Sequence, residues 1–174
     1  MIRKALPRDL DAVEQIYKRI IDAEEEGRMT TGWLRDIYPV RSTAEAALLR
    51  DDLFVLEEDG RILGAGIINR IQVDVYRGAP WAAEVPDDAV CVLHTLVIDP
   101  LAAGHGLGTA FVRFYEAYAK EQGIKELRLD TNVRNLAARS MYKKLGYTEI
   151  AVVPTVFNGI PDVQLVLLEK RMED

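Results

Sequence analysis

Gly104, Gly106 and Gly108 stand two residues apart, just after an apolar run, Val90–Ile98, that breaks at Asp99 and Pro100. Glycine reaches backbone conformations closed to other residues and leaves no side chain to hold a ligand away from the amides. From Leu107 onward, apolar residues recur at Ala110, Phe111, Phe114, Tyr115 and Tyr118, which is helical spacing. The loop amides therefore open a helix, where unpaired donors and the positive end of the dipole suit a phosphate. Neither GxGxxG nor GxxxxGK[ST] occurs, so neither a dinucleotide fold nor a P-loop follows. A purely structural turn is the other use of such a loop.

A second constellation lies downstream in ELRLDTNVRNLAARSMYKKLGY, where Asn135, Ala138, Tyr142 and Gly146 are spaced NxxAxxxYxxxG and Tyr147 follows. Together with GxGxG after a strand ending in Asp-Pro, this resembles the GNAT superfamily of acyl-coenzyme A-dependent N-acyltransferases. The resemblance covers nearly the whole chain in element order, with its specific motifs between about residues 90 and 147. It implies acetyl-coenzyme A as co-substrate, with no metal, and a diphosphate cradled by Gly104, His105, Gly106, Leu107, Gly108 and Thr109. One departure stands out: Ala103 occupies the place of a long polar or cationic residue in the family loop. The resemblance also implies that the pantetheine arm lies between two parted parallel strands, Val90–Ile98 and Lys125–Thr131, bonded to the backbone of Leu96, Val97 and Ile98. Asn135 would touch that arm or cap its helix. Arg139 would meet a phosphate or a surface carboxylate.

The implied reaction moves an acetyl group from a thioester to a primary amine by direct attack in a ternary complex. An alkyl amine with a pKa near 10.4 is mostly ammonium at neutral pH, so freeing its lone pair costs about 4 to 5 kcal/mol. A base should assist, and the departing thiolate benefits from a proton. Tyr142 matches the motif tyrosine and is the candidate acid, although Ala138, Met141 and Leu145 on its face also suit a core role. His94 is the first candidate base: strict alternation puts it on one face with Leu96 and Ile98, and its type suits neutral-pH transfer. LHTLVID also resembles the second histidine of the HLHxLAV strand of arylalkylamine acetyltransferases, with Val92 where the first would stand. Glu84, in the connector from Asp74 to Asp88, is the second candidate. Trp33, Tyr38, Tyr76, Trp81 and Phe157 are expected around the acceptor, loop aromatics serving equally well as core lids or contacts of a homodimer.

These groups need a frame. Strands are expected at Ile2–Ala5, Leu53–Leu56, Arg61–Ile68, Val90–Ile98, Lys125–Thr131, Tyr147–Val153 and Gln164–Lys170, with Asp59-Gly60 turning a hairpin. Helical spacing runs through Leu10, Val13, Ile16, Tyr17, Ile20 and Ile21, then over Thr43–Arg50, Leu107–Gln122 and the segment closed by Gly146. The order β-α-α-β-β-β-α-β-α-β-β resembles the GNAT arrangement, an α/β fold with a twisted mixed sheet of about seven strands and helices on both faces.

At 174 residues and 49% apolar content, the chain is expected to form one domain, residues 1–174. No apolar run approaches the roughly 20 residues of a membrane span, and the N-terminus lacks a signal-peptide core, so a cytoplasmic protein is expected. A net charge of −6 without a basic stripe argues against nucleic acid as a partner. The single cysteine, Cys91, reads as a small buried hydrophobe. A small-molecule amine is the expected acceptor; a peptide amine, or a catalytically inactive acyl-coenzyme A sensor, is the alternative.

Overall fold

The computed structural model describes residues 1–173. Seven strands form one mixed sheet: β1 (Ile2–Lys4), β2 (Leu53–Glu58), β3 (Arg61–Asn69), β4 (Val90–Ile98), β5 (Glu126–Asn132), β6 (Thr148–Phe157) and β7 (Ile160–Arg171), in the spatial order β1-β2-β3-β4-β5-β7-β6. Helices α1 (Leu10–Glu25) and α2 (Arg41–Leu49) cover one face, and α3 (Leu107–Glu121) and α4 (Leu136–Lys144) the other. On the first face Val13, Ile16, Tyr17 and Ile20 of α1 pack on Leu53, Val55, Ile67 and Val97; on the second, Phe111 and Tyr115 of α3 pack on Cys91, Leu127, Leu129 and Leu168. Burial pushes the Cys91 thiol up to about 12, consistent with an inert core residue.

All neighbouring strands are antiparallel except β4 and β5, which are parallel and joined through α3. Their ladder runs from Val90 opposite Glu126 to Leu93 opposite Leu129 and stops, while β4 continues to Ile98 and β5 to Asn132. Tyr115 holds the closed end of this fork, its hydroxyl donating to Cys91 O at 2.6 Å with Arg128 O 3.2 Å away. At the open end, β4 still pairs with β3, but through a register shift: Ile67 faces His94 and Ala65 faces Val97. The extra residue is a β-bulge centred on Thr95, whose φ of 48° is unusual for a β-branched residue.

The bulge reverses the alternation of side chains along β4. Cys91 and Leu93 join the α3 core before it, and Leu96 and Ile98 do so after it, while Val97 joins the α1 core. His94 therefore does not share a face with Leu96 and Ile98, as strict period-two alternation requires. The β6–β7 hairpin is also longer than Tyr147–Val153 and Gln164–Lys170. Pro154 sits on an edge strand, where a missing donor costs no ladder bond, so pairing reaches the turn at Asn158 (φ 48°) and Gly159 (φ 86°).

Candidate active site

The fork opens into a cleft of about 590 Å³. Leu96, Val97 and Ile98 form one wall, and on their β5 side their backbone groups have no strand partner. At the end of β4 the chain is tied down: Asp99 receives Arg19 of α1 at 3.0 and 2.8 Å and caps the amide of Leu101 at 3.0 Å. Gly104 (φ 84°) and Gly106 (φ 72°) then turn the chain into α3 through left-handed conformations that other residues adopt at a cost. Gly108 has a different reason for being small, because a Cβ there would lie 3.1 Å from Met141 Sδ on α4.

Among the described residues, no amide from Gly104 to Thr109 donates to a backbone carbonyl. Gly104, Gly106, Leu107, Gly108 and Thr109 line the cleft, whereas His105 is exposed and does not line it. This is a cradle of unpaired donors at a helix N-terminus, and it fits an anionic diphosphate without help from a side chain at Ala103. Arg28, not singled out by sequence, is the one guanidinium among the residues lining the cleft, and Glu26 holds it at 2.7 Å. Asn135 lines the cleft while its side chain accepts the Ala138 amide at 3.3 Å as the cap of α4. Arg139 does not line it. Glu149 takes its guanidinium at 2.7 and 2.9 Å, and Val133 O accepts a third bond, leaving the surface-carboxylate alternative.

Tyr142 is buried at 5% exposure, edge-on to Tyr147, and lines the cleft. Its hydroxyl has no hydrogen-bond partner among the described residues, yet it is not sealed from the cleft. Burial, and secondarily the charge of Asp130, raises its pKa, so it carries its proton at neutral pH and is suited to donate it.

A second cavity, of about 750 Å³, opens on the α2 side. The two meet at Tyr38, Leu93, Thr95, Asp130 and Phe157, residues that line both. Tyr38 stacks edge-on between Trp33 and Phe157 at 6.0 and 5.5 Å, and its hydroxyl bonds Thr95 Oγ1. Burial pushes that hydroxyl up to about 12. Three of the five expected acceptor aromatics, Trp33, Tyr38 and Phe157, thus line the cleft. Tyr76 and Trp81 line neither cavity. Tyr76 is buried behind the fork and donates to Asp130 Oδ2 at 2.7 Å; Trp81 stacks on Arg128, 4.2 Å from its guanidinium, and donates to Tyr76 O.

His94 faces the second cavity alone, with Nε2 2.8 Å from Asn69 Oδ1, and Asn69 in turn donates to Asp52 at 3.0 Å. Burial lowers its pKa to about 4, so it is neutral at pH 7 and a weak proton acceptor. Glu84 is exposed and lines neither cavity. The carboxylate that does reach the junction is Asp130, one residue past the last β4–β5 pair. Its signal in the sequence was an acidic residue ending an apolar strand. Among the described residues no cluster of His, Cys, Asp or Glu could hold a metal ion, and no helix is long and apolar enough to cross a membrane.

A forked parallel pair, a glycine cradle at a helix start and a tyrosine between them define an acyl-coenzyme A-binding type of fold. The chain belongs to the GNAT acetyltransferase family, whose model matches residues 14–147. The mycothiol acetyltransferase of Cellulomonas flavigena is 26% identical over 153 residues, which are 87% of this chain and 41% of that protein. The chain likewise spans less than half the length of the other curated relatives it matches most strongly. An acetyltransferase of the GNAT family from Streptococcus agalactiae superposes with a TM-score of 0.78 at 24% identity, covering 100% of this chain and 96% of that one. The Salmonella typhimurium protein yncA, described as a putative acetyltransferase with its cofactor acetyl-CoA, gives 0.70 at 19% identity over 100% and 94%.

Proposed function

We propose that the chain is an acetyl-coenzyme A-dependent N-acetyltransferase acting on the primary amine of a small molecule, as one domain over residues 1–174. The observation that carries this is the fork: two parallel strands that stop pairing at Leu93 and Leu129, beside a row of unpaired amides from Gly104 to Thr109. Those amides grip the diphosphate, and the open edge of Leu96, Val97 and Ile98 bonds the pantetheine amides as another strand would. Acetyl-coenzyme A, when bound, supplies the acetyl group as a thioester whose C–S bond breaks as the acceptor's N–C bond forms. Tyr142 gives its phenolic proton to the departing sulfur and recovers one from the acylated nitrogen. The acceptor enters through the second cavity and meets the thioester at Thr95 and Asp130. Relatives named for mycothiol and aminoglycoside acetylation lend support to a small-molecule acceptor.

The test compares acetyl-coenzyme A with S-acetylpantetheine, which lacks the diphosphate, by calorimetry and by thiol release with an amine panel. Acetyl-coenzyme A should bind at least about tenfold more tightly, since charge-assisted bonds to the cradle are lost in the truncated thioester. Equal affinity would overturn the cradle. Tight binding with no thiol release to any amine would make the protein a sensor, and faster turnover of peptides would make the acceptor a protein.

A further inference from the structure

One wall of the cleft serves neither the diphosphate nor the coenzyme arm. Past the last β4–β5 pair, β5 is flanked by β7, with Leu167 opposite Asp130 and Leu165 opposite Asn132. Val163 follows Leu165 two residues away and so shares its face. Val163 and Leu165 are 6% and 2% exposed, and they form one apolar cluster with Trp33, Tyr38 and Phe157. The three aromatic rings stand edge-on in a row, and all five side chains line the cleft.

Three parts of the reaction compete for this wall. In the mechanism proposed above, the pantetheine arm takes the opposite side of the fork, along Leu96, Val97 and Ile98. The cavity assigned to the acceptor shares Tyr38 and Phe157 with the cleft, but Trp33, Val163 and Leu165 line the cleft alone. What remains is the group carried on the sulfur. An acetyl group ends in a single methyl, which covers little of a wall built from five apolar side chains. Charge offers nothing to a polar tail. Among the described residues, Arg28 is the lining's one guanidinium and Asp130 its one carboxylate, held by Glu26 and Tyr76 at 2.7 Å each.

We infer that this wall receives the acyl chain, so that the protein transfers uncharged acyl groups longer than acetyl, propionyl and butyryl among them, as well as acetyl itself. This rests on the acetyltransferase reading above. The chemical step balances as it does for acetyl: the neutral amine's N–C bond forms as the C–S bond breaks, the sulfur takes the Tyr142 proton, and the acylated nitrogen returns its surplus proton to that oxygen. The added methylenes act in binding. Each one that leaves water for an apolar wall is worth about fourfold in affinity. Two of them, less the cost of ordering their rotors, should give the butyryl thioester about tenfold over the acetyl thioester.

Calorimetry without any amine, using acetyl-, propionyl-, butyryl- and succinyl-coenzyme A on the wild-type protein, tests the inference before any turnover. Affinity should rise from acetyl through propionyl to butyryl, and succinyl, of the same chain length but ending in a carboxylate, should bind more weakly than butyryl. Thiol release with the amine panel should then give butyryl-coenzyme A a kcat/KM at least equal to that of acetyl-coenzyme A. In Val163→Phe, whose larger ring fills the space beside Leu165, the tenfold butyryl-to-acetyl ratio should fall to about one, with a melting curve reading the fold; if that variant does not fold, the wild-type series decides alone. Equal or falling affinity along the series, succinyl binding as tightly as butyryl, no turnover of butyryl, or an unchanged ratio in folded Val163→Phe would overturn the inference and leave the coenzyme site standing. Absence of acetyl-coenzyme A binding would instead fell the acetyltransferase reading, and this inference with it.

Discussion

Replacing Tyr142 by Phe separates folding from chemistry. Among the described residues the Tyr142 hydroxyl has no hydrogen-bond partner, so its removal leaves no orphaned donor or acceptor there, and the ring keeps its edge-on contact with Tyr147 at 5.8 Å. The stability change should stay within about 0.5 kcal/mol, a shift of about 1–2 °C in Tm for a chain of this size. The kinetic change should be far larger. A positioned acid contributes about 10² to 10⁴ in rate, equivalent to about 2.7 to 5.4 kcal/mol of barrier. Continuous thiol detection with saturating acetyl-coenzyme A and the amine that the panel shows to be turned over reads kcat directly, and a melting curve on the same samples reads the fold. KM for the acceptor should move little, since in the proposed mechanism the hydroxyl exchanges a proton with the nitrogen only after the acyl group has been transferred. A Tyr142→Phe enzyme with kcat within about twofold of wild type would remove the tyrosine from the mechanism and return it to the core.

Four further outcomes follow from the same geometry. Gly106→Ala has open space around the new methyl but must hold a φ of 72°, so it should cost about 1–2 kcal/mol in chemical denaturation and weaken acetyl-coenzyme A by calorimetry. Gly66→Ala drives a Cβ to 2.7 and 2.9 Å from the Phe111 ring behind β4, and should lower Tm by several degrees, about 1–3 kcal/mol of overpacking. His94 has its pKa lowered from 6.5 to about 4, so the unfolded chain takes up that proton first as pH falls; the stability it lends is full above 6.5 and drains toward 4, and melting curves of His94→Gln should fall less over that window. Asp130 is raised instead, from 3.8 to about 6, so its contribution is full below 3.8 and lost as pH rises through 6; Asp130→Asn should therefore gain Tm over wild type at pH 8 but not at pH 4.

The glycine loop, α3 and the tyrosine of α4 were legible because each depends on local rules: a left-handed turn, a 3.6-residue period, a fixed motif spacing. The side of β4 on which His94 falls was not. VCVLHTLVI is apolar almost throughout, so its pattern carries no mark of the extra residue at Thr95 that exchanges the two faces. Asp130 was missed for a related reason. A carboxylate at the end of a strand looks like a solvated terminus until the tertiary fold brings Tyr38 and Tyr76 around it. Glu84 drew notice only through its connector, whose first residues Asp74 and Val75 line the second cavity while Glu84 itself lies outside both, and Tyr76 and Trp81, read as pocket aromatics, serve as buttresses behind the junction. Composition cannot tell a wall from its support.

The fork has two mouths, one at the start of α3 and one beside α2, so the reaction centre is a corridor and not a blind alley. In the mechanism proposed above each reactant has its own doorway, and neither stands in the other's path on arrival or departure. Steady-state plots should therefore intersect for both reactants, with free coenzyme competing only against its own thioester and the amide product only against its own amine.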